Sequence, residues 1–306
     1  MPSVAQIPLI ASVECGIQDF NQEATLLKSF VKKHEYLVCV DSDGCAMDTM
    51  NCKHIYCFGP CMVDEWELSE WRDEILRRWN EINLYQVTRG INRFKGLAMA
   101  LSEINERYTR IPGIDALNSW CQTTHALSMS ALESAARETS DAEGRECLLK
   151  ALNWSRAVNE SINTLSDDVK IPFEGAREGL VAAHAFADVA VVSSANREAV
   201  EEEWEKFDLL PNTDVVLTQD IGSKAFCIAE MLKFGYSADK VLMIGDALGD
   251  MDAAEKNGVF YYPILPGKER ESWRELFEVA LGRLVRGEYR GEYQEKKIRE
   301  FMDNFI

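Results

Sequence analysis

Four short segments carry side chains whose types and spacing suit chemistry. Asp41-Ser42-Asp43-Gly44 follows the apolar run Tyr36–Val40. Two acids two positions apart on an extended backbone point the same way. One carboxylate of such a pair can attack as a nucleophile. The other can donate a proton and later withdraw one. Ser193-Ser194-Ala195-Asn196 offers hydroxyl, amide and backbone donors that could bind an anion. Gly222-Ser223-Lys224 brings a cation to a helix start, and Gly245-Asp246-Ala247-Leu248-Gly249-Asp250 adds two further acids. Clustered carboxylates suit Mg²⁺, which takes oxygen ligands and keeps several waters. Each segment has a plainer reading when taken singly. Asp-Ser-Asp-Gly is a common turn, a Ser pair often caps a helix, and a lone lysine usually sits at the surface. Asp246 could also cap a helix.

What separates the two readings is the set of elements that must hold these residues. Tyr36–Val40 reads as a short buried strand from its length and β-branched content. Before it, Asp19–Lys33 reads as a helix. From about residue 172 the chain alternates. A helix over Gly175–Ala187 precedes a strand at Asp188–Val192, and a helix over Arg197–Phe207 precedes one at Asp214–Leu217. A helix over Lys224–Phe234 leads to Lys240–Ile244, and one over Asp250–Asn257 to Val259–Ile264. Such alternation predicts a parallel sheet with right-handed crossovers. The polar segments then converge at the carboxyl edge, where open α/β sheets bind ligands. The tail after Pro266 reads as helical with a solvated face.

Between about Val63 and Ser166 the strand signals stop. Apolar residues recur at helical spacing, as in Trp66, Ile75 and Trp79 and then Leu97, Leu101 and Ile104. The expected fold is α/β, a Rossmann-like parallel sheet core of residues 1–54 and 172–306 with an inserted all-α domain over 55–171.

With these four segments in this order, the sequence resembles the haloacid dehalogenase superfamily. The resemblance rests on Asp-x-Asp-Gly after a strand, the serine after the second strand, the lysine at the following helix, and Gly-Asp-x-x-x-Asp. It covers the core, somewhat over half the chain. The resemblance implies roles. Asp41 is the nucleophile that forms an aspartyl-phosphate, and Asp43 is the general acid and base. Ser193, the Ser194 amide and Asn196 hold the phosphoryl oxygens. Lys224 neutralises transferring charge. Asp41, the Asp43 carbonyl and Asp246 ligate Mg²⁺, with Asp250 acting through water or on Lys224. Clustered acids raise one another's pKa, which predicts a protonated Asp43 at rest. An acid at position 43 favours phosphate ester chemistry over halide displacement, which needs no leaving-group proton.

The insert resembles the helical cap of such enzymes, which closes over the site. It is longer than the compact four-helix form expected of a cap. Within it, Thr88–Gly96 gathers Arg89, Arg93 and Lys95 in a very acidic protein. One reading is a loop that reaches down to an anionic substrate, and the other is a solvated turn. Lys53 and His54, at the first hinge, could face the site, but core or surface roles are the favoured reading. The tryptophans at 66, 71 and 79 read as core of the insert.

Bulk properties narrow the function classes. A formal charge of −18 disfavours nucleic acid and anionic membranes as partners. No run approaches a membrane span, and no basic leader precedes an apolar stretch. The nine cysteines lack a paired pattern, so reduced thiols and a cytoplasmic location are expected. Cys52, Cys57 and Cys61 cluster, but a zinc site would need a second pair. The expected function is Mg²⁺-dependent hydrolysis of a small-molecule phosphate monoester. The alternatives are a phosphomutase of the β-phosphoglucomutase type and a catalytically silent binding protein on the same fold. Substrate identity, and whether the chain is a monomer or a homodimer, are left open.

Overall fold

The computed structural model describes residues 27, 29–124 and 126–305. Five parallel strands form one sheet in the order β3-β2-β1-β4-β5. They are β1 (Tyr36–Val40), β2 (Ala187–Val192), β3 (Val215–Leu217), β4 (Val241–Gly245) and β5 (Phe260–Pro263). The chain starts at the central strand, builds outward to β3, then returns to the other side of β1 for β4 and β5. The order therefore reverses between β1 and β4, the switch point at which open α/β sheets form a crevice. Pairing is in register from Leu37↔Val241 to Val40↔Ile244 on one side and from Tyr36↔Ala187 to Val40↔Val191 on the other.

Burial on both faces explains why these strands read as unbroken apolar runs. Val38 and Val40 enter a cluster with Ala176, Leu180, Trp204 and Trp273, while Leu37 and Cys39 enter another with Cys227, Ile228, Met231 and Phe301. Helices α8 (Ala176–His184), α9 (Arg197–Lys206), α10 (Lys224–Leu232) and α11 (Leu248–Asn257) make the crossovers. They agree with the expected spans to within a few residues. The expected helix over 19–33 falls mostly outside the described residues, of which Leu27 and Ser29 are helical while Phe30–Lys33 are not.

The tail is helical with a charged outer face, as expected, and that face has a buried counterpart. Its helices α12 (Glu269–Glu275), α13 (Leu281–Val285) and α14 (Glu292–Asp303) bury Trp273, Leu276, Leu281, Leu284, Tyr289 and Phe301. Their charged residues lie on the outer side, and this masks an apolar stripe that covers the sheet. Lys297 is itself buried, with its ammonium on Glu275 (2.6 Å) and Glu300 (2.5 Å).

The inserted region is helical. It runs α1 (Thr49–Lys53), a π-helical turn His54–Phe58, α2 (Gly59–Glu65) and α3 (Arg72–Asn80), which continues through a π-helical turn Glu81–Tyr85. Helices α4 (Arg93–Arg107), α5 (Ile114–Thr123), α6 (Met129–Glu138) and α7 (Ala142–Asn163) follow. They share one apolar cluster that includes Trp66, Trp79, Phe94, Trp120 and Trp154. The two chain crossings between insert and sheet run side by side. Met47 bridges Pro172, the Asp48 amide donates to the Ile171 carbonyl (2.8 Å), and the Phe173 amide donates to the Ala46 carbonyl (3.0 Å). Helix begins at Thr49, ahead of the 54/55 boundary expected from the sequence.

Candidate active site

The carboxyl edge of β1 sets Asp41 beside its neighbours on β4. The Asp41 amide extends the ladder by donating to the Ile244 carbonyl (3.0 Å), so its side chain leaves the strand at the switch point. Lys224, in the first turn of α10, places Nζ 2.8 Å from Asp41 Oδ2 and 2.6 Å from Asp250 Oδ1. Ser223 caps that helix by accepting from the Phe226 amide (3.2 Å), which fixes where Lys224 starts. Asp250 Oδ2 accepts from the Ala247 amide (3.0 Å), closing the first turn of α11. One carboxylate thus does two jobs, orienting Lys224 and capping a helix.

Asp41, Asp246 and Asp250 each bring an oxygen within 4.8 Å of the others, and all three are buried. A group of hard oxygen donors this close suits a divalent cation such as Mg²⁺. Asp246 Oδ1 supports the fit, since it is buried and has no hydrogen-bond partner. Burial raises the Asp41 pKa well above the usual carboxylate range, against the opposing pull of Lys224. Burial likewise raises Asp246 to about 6, although Arg89 opposes it. For Lys224, burial works against the charge, but Asp250 and Asp41 more than offset this and raise its pKa.

Asp43 departs from expectation. Its carboxylate does not share the acids' cluster. Lys53 Nζ lies 2.8 Å from Oδ1 and 3.0 Å from Oδ2, and the Thr49 hydroxyl also donates to Oδ1. Burial alone would raise its pKa, but Lys53 and Thr49 outweigh burial and lower it. The expectation of a protonated resting Asp43 is therefore corrected, because a cation rather than a second acid faces it. Thr49 is the residue that sequence reasoning missed, and Lys53 takes the site-facing role that was the less favoured of its two readings. Their signal was positional, since both stand in the first helix after the Asp41 loop.

The second strand's segment divides. Ser193 is buried, its amide donates to the Leu217 carbonyl (2.9 Å), and its hydroxyl accepts from the Ala195 amide (3.1 Å). Ser194 is exposed. Asn196 is the N-cap of α9, accepting from the Ala199 amide (3.4 Å), so that oxygen is already engaged by the helix.

The loop Gln86–Asn92 also divides from the helix that follows it. Arg89 is buried with Nε 2.6 Å from Asp246 Oδ2 and Nη1 3.0 Å from the Leu84 carbonyl. The solvated-turn reading therefore fails for Arg89. Arg93 instead turns into the insert, donating to Ser155 Oγ (3.2 Å) and Asn159 Oδ1 (2.7 Å) and lying over the Phe58 ring. Lys95 is exposed on α4. The structure therefore brings Arg89 to the carboxylates and gives Arg93 and Lys95 no contact with them. His54 stacks on Phe58 with ring centroids 4.6 Å apart, and burial followed by the Arg89 and Arg93 charges lowers its pKa to about 3.

The described cysteines are free, and the three aspartates are the only group of at least three potential ligands among the described residues that closes on a metal-sized point. No helix among the described residues is long and apolar enough to cross a membrane.

Residues 116–263 match the model of the haloacid dehalogenase-like hydrolase family. The matched stretch holds Ser193, Lys224, Asp246 and Asp250, while Asp41 lies outside it, directly after β1, the strand between β2 and β4. Among solved structures, a protein assigned as a β-phosphoglucomutase from Thermotoga maritima is 16% identical, with a TM-score of 0.48 over 81% of this chain and 99% of that one. A protein assigned as a phosphoglycolate phosphatase from Lactobacillus delbrueckii subsp. bulgaricus is 15% identical, with a TM-score of 0.47 over 75% of this chain and 85% of that one. A haloacid dehalogenase-like family hydrolase from Xanthomonas campestris is 15% identical, with a TM-score of 0.40 over 84% and 97%. No curated protein matches.

Proposed function

We propose that this chain, whose α/β core is that of a haloacid dehalogenase-like hydrolase, is a Mg²⁺-dependent phosphatase of a small-molecule phosphate monoester. The observation that carries this reading is the Asp41–Lys224–Asp250 chain of contacts beside Asp246, at the switch point of the sheet. Asp41 has one oxygen held by Lys224 and the other by the Ser42 amide (2.8 Å), which leaves it oriented rather than free to rotate. Orientation of this kind favours in-line attack on phosphorus. The P–O bond to the leaving group breaks as the Asp41–phosphorus bond forms, giving an aspartyl-phosphate. Asp43 protonates the departing oxygen, then takes a proton from the water that hydrolyses the acyl phosphate. For the first of these steps Asp43 must leave Lys53 and take up a proton.

Asp41, Asp246, Asp250 and the Asp43 carbonyl would hold Mg²⁺, which when bound offsets charge on the transferring phosphoryl group. Ser193 hydrogen-bonds that group, and Lys224 neutralises charge as it moves. The helices over 55–171 act as a cap that excludes water from the first step, and Arg89 is the cap residue that meets substrate. Ser194, Asn196, Arg93 and Lys95 retain their sequence-based assignments only if closure or substrate draws them in. A cytoplasmic location accords with the free thiols.

The test is phosphate release over sugar phosphates, nucleotides and amino-acid phosphates, with and without Mg²⁺. Wild type should release phosphate from at least one class in Mg²⁺ and lose this in excess chelator. Asp41→Asn should abolish turnover with an unchanged melting temperature. Full activity in chelator, or near wild-type turnover in the variant, would remove this mechanism. Phosphate transferred to a second acceptor position without net release would favour the phosphomutase.

A further inference from the structure

Arg89 and Asp246 form an ion pair of unusual placement. The guanidinium comes from the insert, the carboxylate from the group of acids at the sheet edge, and their side chains are 1% and 0% exposed. The pair is also incomplete. Arg89 meets Asp246 through Nε alone, while its Nη2 and Asp246 Oδ1 are both buried without partners. Arginine–carboxylate pairs frequently close as a two-pronged fork, and this one does not. Buried polar groups without partners are costly, so opening this pair costs less than opening a fully bonded one, provided that another cation replaces Arg89 at Asp246.

The charges at the edge show what would open it. With all three carboxylates ionised the group carries −3, and Lys224 and Arg89 bring this to −1. A divalent cation added with Arg89 in place leaves a net positive, dry cluster. The same cation with Arg89 withdrawn leaves it neutral. Two cations on one carboxylate repel strongly where water is excluded. Packing makes withdrawal a movement of the loop rather than of one side chain. Arg89 Nη2 lies where a Cβ on Gly44 would sit 2.6 Å away, and Gly90 packs against Ala247. The Leu84 carbonyl ties the guanidinium to the cap itself.

We infer that Arg89 is a latch that competes with the divalent cation for Asp246, so that cation binding and release of the 86–92 loop from the core are one coupled event. The inference rests on the cation assignment of the proposed function. Reciprocity follows, since whatever frees the loop must tighten the cation by the same factor. Released by the cation, Arg89 becomes available to an anionic substrate, which would draw the loop back.

The test is direct binding of MgCl₂ by calorimetry to wild type, Arg89→Ala, Arg89→Gln and Arg93→Ala. Arg89→Ala and Arg89→Gln should bind Mg²⁺ roughly 10-fold tighter or more, the scale of one charge-assisted contact removed from the competing state. Arg93→Ala deletes the same charge from a residue bonded inside the insert, and should bind nearly as wild type does. In wild type, whose folding is not in question, Mg²⁺ should speed hydrogen exchange at the Arg89 and Ile91 amides, which donate to Gln86 and Thr88. Equal or weaker Mg²⁺ binding in both Arg89 variants, or unchanged exchange in the loop, overturns the latch and leaves the proposed function standing. Absence of Mg²⁺ binding in every protein overturns the cation assignment and the latch together.

Discussion

Asp43 and Lys53 show how much one contact can alter a mechanism. An acid that must protonate a leaving group is held in its ionised form by an ammonium on both of its oxygens. The burden of that arrangement falls on the step that needs the proton. Asp43→Asn should therefore slow turnover of alkyl phosphates far more than of aryl phosphates, because an aryl oxyanion departs without a proton. The measurement is the mutant-to-wild-type ratio of kcat/KM on each substrate type. Equal ratios would mean that Asp43 is not the leaving-group acid. From the sequence a core or surface role for Lys53 outweighs one facing the site, since lysines are seldom buried unless paired. Only the folding of α1 back over the Asp41 loop makes it a partner.

At the scale of elements, the site depends on a loop that comes very close to it. Gly44 has φ of +84°, and a Cβ there would lie 2.5 Å from Asp246 Oδ2 and 2.6 Å from Arg89 Nη2. Gly267 has a similar φ of +79° with nothing within 4 Å. Comparing the two separates backbone strain from displacement of the site. Gly267→Ala should cost only the left-handed backbone strain, about 1 kcal/mol. Gly44→Ala should cost roughly 1–3 kcal/mol more by the overpacking scale, read as the shift in urea midpoint, and should also alter Mg²⁺ affinity. If both variants are equally stable and bind Mg²⁺ as wild type does, the close approach at Gly44 is not a constraint. The strands were legible because burial on both faces leaves unbroken apolar runs. The tail was legible as helical, but its apolar stripe was not, since dense outer charge hides the side that the sheet covers.

For the whole molecule, the notable feature is a buried charged contact between insert and core, Arg89 with Asp246. His54 feels Arg89 and Arg93 from the insert and Asp43 from the core. Its pKa falls from 6.5 to about 3, so the folded state prefers the neutral ring. Between these values the unfolded chain binds the additional proton, and stability must rise with pH. The acid-side loss therefore begins below about pH 6.5 and continues towards pH 3. Other acids titrate in the same range, so the measurement is a difference between wild type and His54→Phe, which keeps a ring against Phe58 without its titration. Unfolding midpoints from pH 7.5 to 4 should show wild type losing stability relative to the variant as pH falls. A constant difference would show that His54 titrates normally.

The sequence by itself determined the sheet, the order of its polar strand ends and the identity of the residues that meet there. Apolar period and turn chemistry are local properties, and parallel crossovers leave few ways to arrange what they specify. Asp41, Lys224, Asp246 and Asp250 come together because they stand at strand and helix ends, which the period locates. Contacts between residues far apart in sequence were decided by tertiary structure alone. Arg89 reaches Asp246 across 157 positions, and Arg93, four residues after it, turns the other way into the insert. Nothing in their local spacing distinguishes the two, because that choice follows from how the insert packs over the switch point.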